Sequence, residues 1–274
     1  MSDGEMTEYS KRQWDALADA GVVCSRPILD MTRERACAMV DDQGLLGDIQ
    51  GLKALCLAQG GGQQSVAFAL LGADVTVFDQ SEKQLARDRE AAAHYGFEIR
   101  AVQGDIRDLS VFGNEEFDVV SQGYSINYIP EVAGAFDEVT RVLRPGGKYA
   151  LDCHNPFVHG SWIDGCWGSK WRKEDLWRGH GYPIRLPYVE GARITTCDPY
   201  WHFTDADGNE KRVSSPQEFR HLLSTILNGL IQRGLMIVGF FDGPEGSPEA
   251  EVGSWDHYVS FASPWLTIWS QKKE

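Results

Sequence analysis

The chain has 274 residues, 42% apolar and 24% charged, with a formal net charge of −14, enough for one α/β domain with a substantial insertion or for two small domains. Charge of that sign repels phosphate backbones, which sets nucleic acid aside as a partner. No run of 18 uninterrupted apolar residues occurs, which sets aside a membrane-spanning helix.

The first residues, MSDGEMTEYSKRQWD, lack the basic flank and apolar run of a secretory signal and predict a cytoplasmic protein. The six cysteines form no C-x-x-C pair and read as reduced, mostly buried apolar residues. Lys53–Ala58 predicts a buried strand closed by glycines, Ser65–Leu71 a short helix stopping at Gly72, and Ala73–Asp79 a β-branched strand. Ser81 and Gln84 form a capping box that opens a helix through His94, ended by Gly96. Glu98–Gln103 and Phe117–Gln122 are further strands. A helix follows Pro130 on the spacing of Val132, Phe136, Val139 and Leu143, and Arg144-Pro145-Gly146-Gly147 delivers the strand Lys148–Cys153.

Strands joined by crossover helices run parallel, so the pattern predicts a doubly wound α/β sheet that binds ligands beyond the carboxyl ends of its strands. Residues 156–215 break the pattern and hold five of the nine tryptophans, Trp162, Trp167, Trp171, Trp177 and Trp201. They predict an irregular, aromatic-rich insertion folded against the ligand edge, between a cofactor-binding core at 52–155 and closing elements at 216–274, all within a single domain. In the last part Pro216–Arg233 predicts a helix with Phe219, Leu222, Leu223, Ile226, Leu227 and Leu230 on one stripe. Leu235–Phe241 and Trp265–Ser270 predict strands.

The glycine cluster Ala58-Gln59-Gly60-Gly61-Gly62-Gln63-Gln64-Ser65 follows the first strand and opens a helix. Glycine lets backbone approach a ligand closely, and free N–H groups at a helix start hold an anion. Asp79 ends the next strand 17 residues after Gly62, with Gln80 beside it, and suits the two hydroxyls of a ribose, or else caps the helix opened at Ser81. Gly104-Asp105-Ile106 ends the third strand, where Asp105 can accept from an exocyclic amine and Ile106 can pack on a ring. Gln122-Gly123-Tyr124 follows the fourth strand at the same edge.

In this order the motifs of residues 52–153 resemble the core of a class I S-adenosylmethionine-dependent methyltransferase of the small-molecule group. The resemblance implies a Rossmann-like sheet of about seven strands whose last strand, fitting Trp265–Ser270, runs antiparallel. It implies S-adenosylmethionine as cofactor, with S-adenosylhomocysteine as product. Ala58, Gln59, Gly60, Gly62 and Gln64 would face the methionine part, Asp79 and Gln80 the ribose, Gly104, Asp105 and Ile106 the adenine, and Gln122, Gly123 and Tyr124 the same edge. A helix at Glu8–Ala20, with Tyr9 and Trp14, would fold over the cofactor. Where such families carry an acid near the end of the first strand and a glycine two positions on, this chain has Cys56 and Ala58.

Methyl transfer from a sulfonium is an in-line displacement in which alignment is the main task. His154, where the chain leaves the fifth strand, is the candidate base for a protonated acceptor, or else a residue that satisfies turn backbone. Tyr9, Trp14, Asn127, Tyr128, Asn155 and Trp201 are the candidate contacts to a small-molecule acceptor. His154, His159, Cys153 and Cys166 lack metal-ligand spacing, so no metal is expected. Two rivals stay open. Gly60-x-Gly62-x-x-Ser65 with Asp79 also imitates a dinucleotide fingerprint, as in a nicotinamide-dependent oxidoreductase, and the altered first strand would suit a non-catalytic, cofactor-binding pseudo-enzyme. The sequence sets neither the acceptor nor the oligomeric state.

Overall fold

In the computed structural model, the structure describes residues 3–158, 177, 179, 181–182, 187–194, 200–205, 208–243 and 245–274. Seven strands form one sheet: β1 (Lys53–Leu57), β2 (Asp74–Asp79), β3 (Arg100–Gln103), β4 (Phe117–Gln122), β5 (Leu143–His154), β10 (Leu235–Phe241) and β11 (Trp265–Lys272), in the order β10-β11-β5-β4-β1-β2-β3. β1 to β5 pair in parallel, and β11 runs antiparallel to both β5 and β10. The antiparallel last strand is the expected one, but it lies inside the sheet, and β10 takes the edge.

Two apolar layers sandwich the sheet. On one face α5 (Ala133–Val142) and α6 (Leu223–Gln232) bury Phe136, Val139, Ile226 and Leu230 against Leu55, Val120 and Tyr149. On the other, α2 (Arg33–Asp41), α3 (Gln64–Leu70) and α4 (Glu82–Tyr95) bury Ala36, Val40, Phe68 and Leu85 against Cys56, Val77 and Trp269. Complete burial of one such side chain is worth about 1.5–3 kcal/mol, and the strands read as continuous apolar runs because both faces are covered. No helix among the described residues is long and apolar enough to cross a membrane.

The caps decide where α4 sits. Ser81 accepts from the Gln84 N–H and Gly96, at φ +74°, closes the far end, as expected. The return arm of the expected capping box is missing: the Gln84 amide donates to Ser25 Oγ at 2.6 Å, and the Ser81 N–H is taken by Asp79 Oδ1 at 2.8 Å.

Three further expectations are corrected. Residues 216–222 are not helical. Glu218–Arg220 forms β9, which pairs with β6 (Ala192–Ile194), and α6 starts only at Leu223 with Leu222 as its N-cap. Within 156–215, β7 (Tyr200–Thr204) and β8 (Glu210–Ser214) form an antiparallel hairpin, so these two segments are more regular than their sequence indicates. Trp162, Trp167, Trp171, His159 and Cys166 lie outside the described residues. Among the described cysteines, Cys56 and Cys153 are buried, but Cys24 and Cys37 are exposed. The N-terminal helix α1 (Asp3–Ala20) lies across the carboxyl ends of the parallel strands, and α7 (Trp255–Val259) precedes β11.

Candidate active site

The loop between β1 and α3 is wound tightly: Ala58, Gly61 and Gly62 have φ of +48°, +123° and +76°. A Cβ on Gly61 would meet the Cys24 carbonyl at 2.7 Å, and one on Gly62 the Arg87 carbonyl at the same distance. These glycines are demanded by close packing on the chain before α2 and on α4, not by the approach of a ligand. The N–H groups of its three glycines are not free to hold an anion either. Gly60 donates to Asp79 Oδ2 at 3.1 Å, and Gly61 and Gly62 donate to Asp88 Oδ2 and Oδ1 at 3.0 and 3.1 Å. A dinucleotide pyrophosphate would therefore find these donors occupied by carboxylates, which removes the ground for the oxidoreductase reading.

Both acids sit low in the sandwich. Burial, against the pull of the Ser81 and Gly60 N–H groups, pushes Asp79 up to about 6. Burial pushes Asp88 up to about 7, opposed by Ser65 and the glycine N–H groups and reinforced by the charge of Asp79. Each Asp79 oxygen accepts one backbone N–H, so each keeps an acceptor site for a hydroxyl.

Asp105 differs from expectation. Its Oδ1 accepts from Arg107 N and Nε, both at 3.0 Å, and its Oδ2 from Arg107 Nη2 at 2.7 Å and Thr7 Oγ1 at 3.0 Å. All four lone-pair directions are filled, so an adenine amine reaches Asp105 only when Thr7 or the guanidinium gives way. Burial works to raise this carboxyl, but the hydrogen bonds and charge of Arg107 outweigh it and hold it below its usual range. Ile106, 6% exposed, offers an apolar face beside it.

These groups surround a cavity of about 260 Å³, near the lower end for small-molecule sites. Of the expected cofactor contacts, Ala58, Gln59, Gly60, Gln64, Asp79, Gln80, Gly104, Asp105, Ile106, Gly123 and Tyr124 line it. Gly62 and Gln122 do not. Gly62 faces α4, and Gln122 is spent on the Tyr149 hydroxyl and Ser125. With its amide nitrogen turned to Ser121, Gln59 accepts from the Gly123 N–H at 2.9 Å and ties the loop to the end of β4.

An aromatic wall lines the same cavity. Trp14 of α1 meets Tyr128 edge-on at 5.2 Å and Trp201 of β7 edge-on at 5.9 Å, and all three line the cavity. The other expected acceptor contacts lie elsewhere. Tyr9 reaches the Ser215 carbonyl, Asn127 bridges the His154 N–H and the Phe219 carbonyl, and Asn155 donates to the Ser263 carbonyl. His154 is 6% exposed and is not among the lining residues. Its ring stacks on Tyr124 at 5.6 Å and packs on Trp265 at 5.2 Å.

The sequence reading missed Thr7, Ser10, Cys24, Gln63, Gln84, Arg107, Ser125 and Asp152, which also line the cavity. Asp152 accepts from Thr267 Oγ1 at 2.7 Å, and burial raises its carboxyl. Its signal was available: it stands in the same strand-end segment that singled out His154. Among the described residues no group of three or more His, Cys, Asp or Glu is arranged to hold a metal ion.

Residues 55–151 match the family model described as a methyltransferase domain. The chain is 29% identical over 251 residues to the uncharacterized methyltransferase YbaJ of Bacillus subtilis, covering 88% of this chain and 92% of that one. It is 34% identical over 103 residues to a demethylmenaquinone methyltransferase of Clavibacter sepedonicus, covering 38% and 41% of the two chains. Its fold is shared with a crystal structure of an S-adenosylmethionine-dependent methyltransferase from Clostridium acetobutylicum, at a TM-score of 0.59 and 16% identity over 89% of this chain and 94% of that one.

Proposed function

We propose, for a chain that belongs to the class I S-adenosylmethionine-dependent methyltransferases, that its methyl acceptor is a small molecule bound between α1, the loop after β4 and the β7–β8 hairpin. One observation carries this reading: a single cavity is lined both by the carboxylates of Asp79 and Asp105 with Ile106 and by the aromatic group Trp14, Tyr128 and Trp201.

The residues fit the cofactor. Asp79 keeps an acceptor site on each oxygen for the ribose hydroxyls, and Ile106 gives the adenine an apolar face. Among the described lining residues, Asp79, Asp105 and Asp152 stand against one cation, Arg107, which suits a cationic ligand. S-adenosylmethionine supplies the methyl group on a sulfonium. The chain's own residues align the acceptor and exclude water, and positioning of this kind is worth about 7–11 kcal/mol of barrier. Tyr124, held from behind by His154 and Trp265, forms part of the wall near the strand ends. Where the acceptor arrives protonated, Asp152 is the carboxylate at the cavity that takes its proton, and His154 acts through Tyr124 as a positioning residue. The name of the demethylmenaquinone relative supports a small acceptor with an apolar body, as does the aromatic wall. Within residues 156–215, the described β7–β8 hairpin acts as part of a cap over it, and the protein works in the cytoplasm without a nucleic-acid or membrane partner.

The test is calorimetric titration with S-adenosylhomocysteine. Wild type is expected to bind it, and Asp79→Ala to weaken binding about 10–100-fold, the worth of one charged hydrogen bond. Equal affinity of the two proteins would overturn the ribose assignment, and no binding by wild type would overturn the reading of the cavity.

A further inference from the structure

Ala58 holds left-handed backbone in a loop that Gly61 and Gly62 also turn at positive φ, and such a conformation in a non-glycine residue persists only where the surroundings over-determine it. The constraint comes from below. Asp88, in the middle of α4 and 0% exposed, accepts from Gly61 N on one oxygen, and from Gly62 N and Ser65 Oγ (2.5 Å) on the other. It thus holds the back of a loop whose front, at Ala58, Gln59, Gly60 and Gln64, lines the cavity. An asparagine offers one acceptor oxygen where the loop needs two and would set its NH₂ against a backbone donor. The neighbouring position on β1 holds no charge: Cys56 is buried, and burial first and the charge of Asp88 second push its thiol well up.

We propose that Asp88 is the positioning residue of the cofactor loop, holding it from α4 in the form that receives S-adenosylmethionine, so that protonation of Asp88 loosens the loop and lowers cofactor affinity. It is the second anchor of the loop beside Asp79, and it touches neither cofactor nor acceptor. The groups facing it are Cys56 from β1, Asp79 from β2 and Ser65 from α3. Asp15 of α1 lies one step out, beside Ser81 and Asp79, and Arg87 of α4 turns away to Glu90 and the Ala18 carbonyl. Burial places the ionisation of Asp88 near neutrality, at about 7. Once protonated, its O–H confronts an N–H, and at least one loop bond is lost.

The experiment titrates S-adenosylhomocysteine into wild type, Asp88→Asn and Ser65→Ala between about pH 5.5 and 8, where the groups of the ligand keep their charge. Wild-type affinity is expected to fall as the pH drops through about 7. At pH 8, Asp88→Asn should bind about tenfold or more weakly while remaining folded by circular dichroism. Ser65→Ala removes a bond that favours the charged acid, so its midpoint should move to higher pH. Asp79 does not touch Ser65, so a shift of this midpoint reports Asp88 and not the ribose anchor. Wild-type binding that is independent of pH, or an unmoved midpoint in Ser65→Ala, overturns the proposal even if Asp88→Asn does not fold. Wild-type affinity in Asp88→Asn at pH 8 also overturns it. Absence of binding by wild type at every pH would instead strike the assignment of the cavity.

Discussion

Asp88→Asn has a second consequence, on stability, whose sign is opposite to its effect on the cofactor. The carboxyl is raised by burial from the ordinary 3.8 to about 7 in the folded chain. An acid raised in this way leaves the fold at full strength below its unfolded value and weakens it as the pH rises, because the unfolded chain ionises first. Three units correspond to about 4 kcal/mol once the pH exceeds 7, and to about 1.5 kcal/mol at pH 5. Asparagine, neutral like the protonated acid, removes this dependence. The variant is therefore expected to gain on wild type by about 2–3 kcal/mol between pH 5 and pH 8, with the larger advantage at pH 8. In a chain of this size that is roughly 5–10 °C in midpoint. Urea unfolding of both proteins at the two pH values checks it, and the comparison cancels the other acids. An unchanged difference between the proteins, or a variant less stable at pH 8, would refute the claim that this buried charge costs the fold more than its hydrogen bonds return.

Other outcomes follow from single contacts. Gly62→Ala places a Cβ 2.7 Å from the Arg87 carbonyl and 2.9 Å from Ala91 Cβ on left-handed backbone. It should cost about 2–3 kcal/mol in urea unfolding, whereas Gly4→Ala, in the first turn of α1 with nothing within 4 Å, should leave stability unchanged or raise it by up to about 1 kcal/mol. His221 directs one ring nitrogen at Glu190 Oε1 (2.7 Å) and the other at the Ile129 carbonyl (2.9 Å). Glu190→Gln replaces the carboxylate that meets His221 and accepts from the Leu222 N–H with a neutral amide and should lower stability by about 1–3 kcal/mol; an unaltered unfolding curve would contradict this. Trp201→Ala should raise the acceptor KM about tenfold through lost aromatic contact and leave the S-adenosylhomocysteine dissociation constant unmoved; a change in the latter would place Trp201 against the cofactor instead.

Most of the five parallel strands were legible because they are apolar runs between turn residues, and the ends of α4 because Ser81 and Gly96 are strong local signals. Residues 216–222 misled because Phe219 and Leu222 fit a helical stripe. The pairing of β9 with β6, 24 to 28 residues upstream, outweighs that local preference. In the site, the positions of Asp79, Gly104 and Ile106 followed from strand ends alone. Asp88 did not, since an acid inside a charged helix reads as solvent-facing until the glycine loop is folded beneath it. The saturation of Asp105 was equally hidden, because Thr7 reaches it from 98 residues away. His154 was sought at the strand end on account of its chemistry, but packing put Tyr124 in front of it.

Helix α1 ties itself to the site through Thr7 to Asp105, Ser10 to Gln80, and Asp15 to the Ser81 hydroxyl. These residues recur every three to five positions and so share one face of the helix. All three groups on the opposite side of those bonds belong to, or adjoin, the proposed adenosine contacts. One rigid lift of α1 thus breaks all the ties together and uncovers the nucleoside end, while the anchors of the glycine loop stay in place. Release of spent cofactor is therefore expected to depend on how readily α1 lifts.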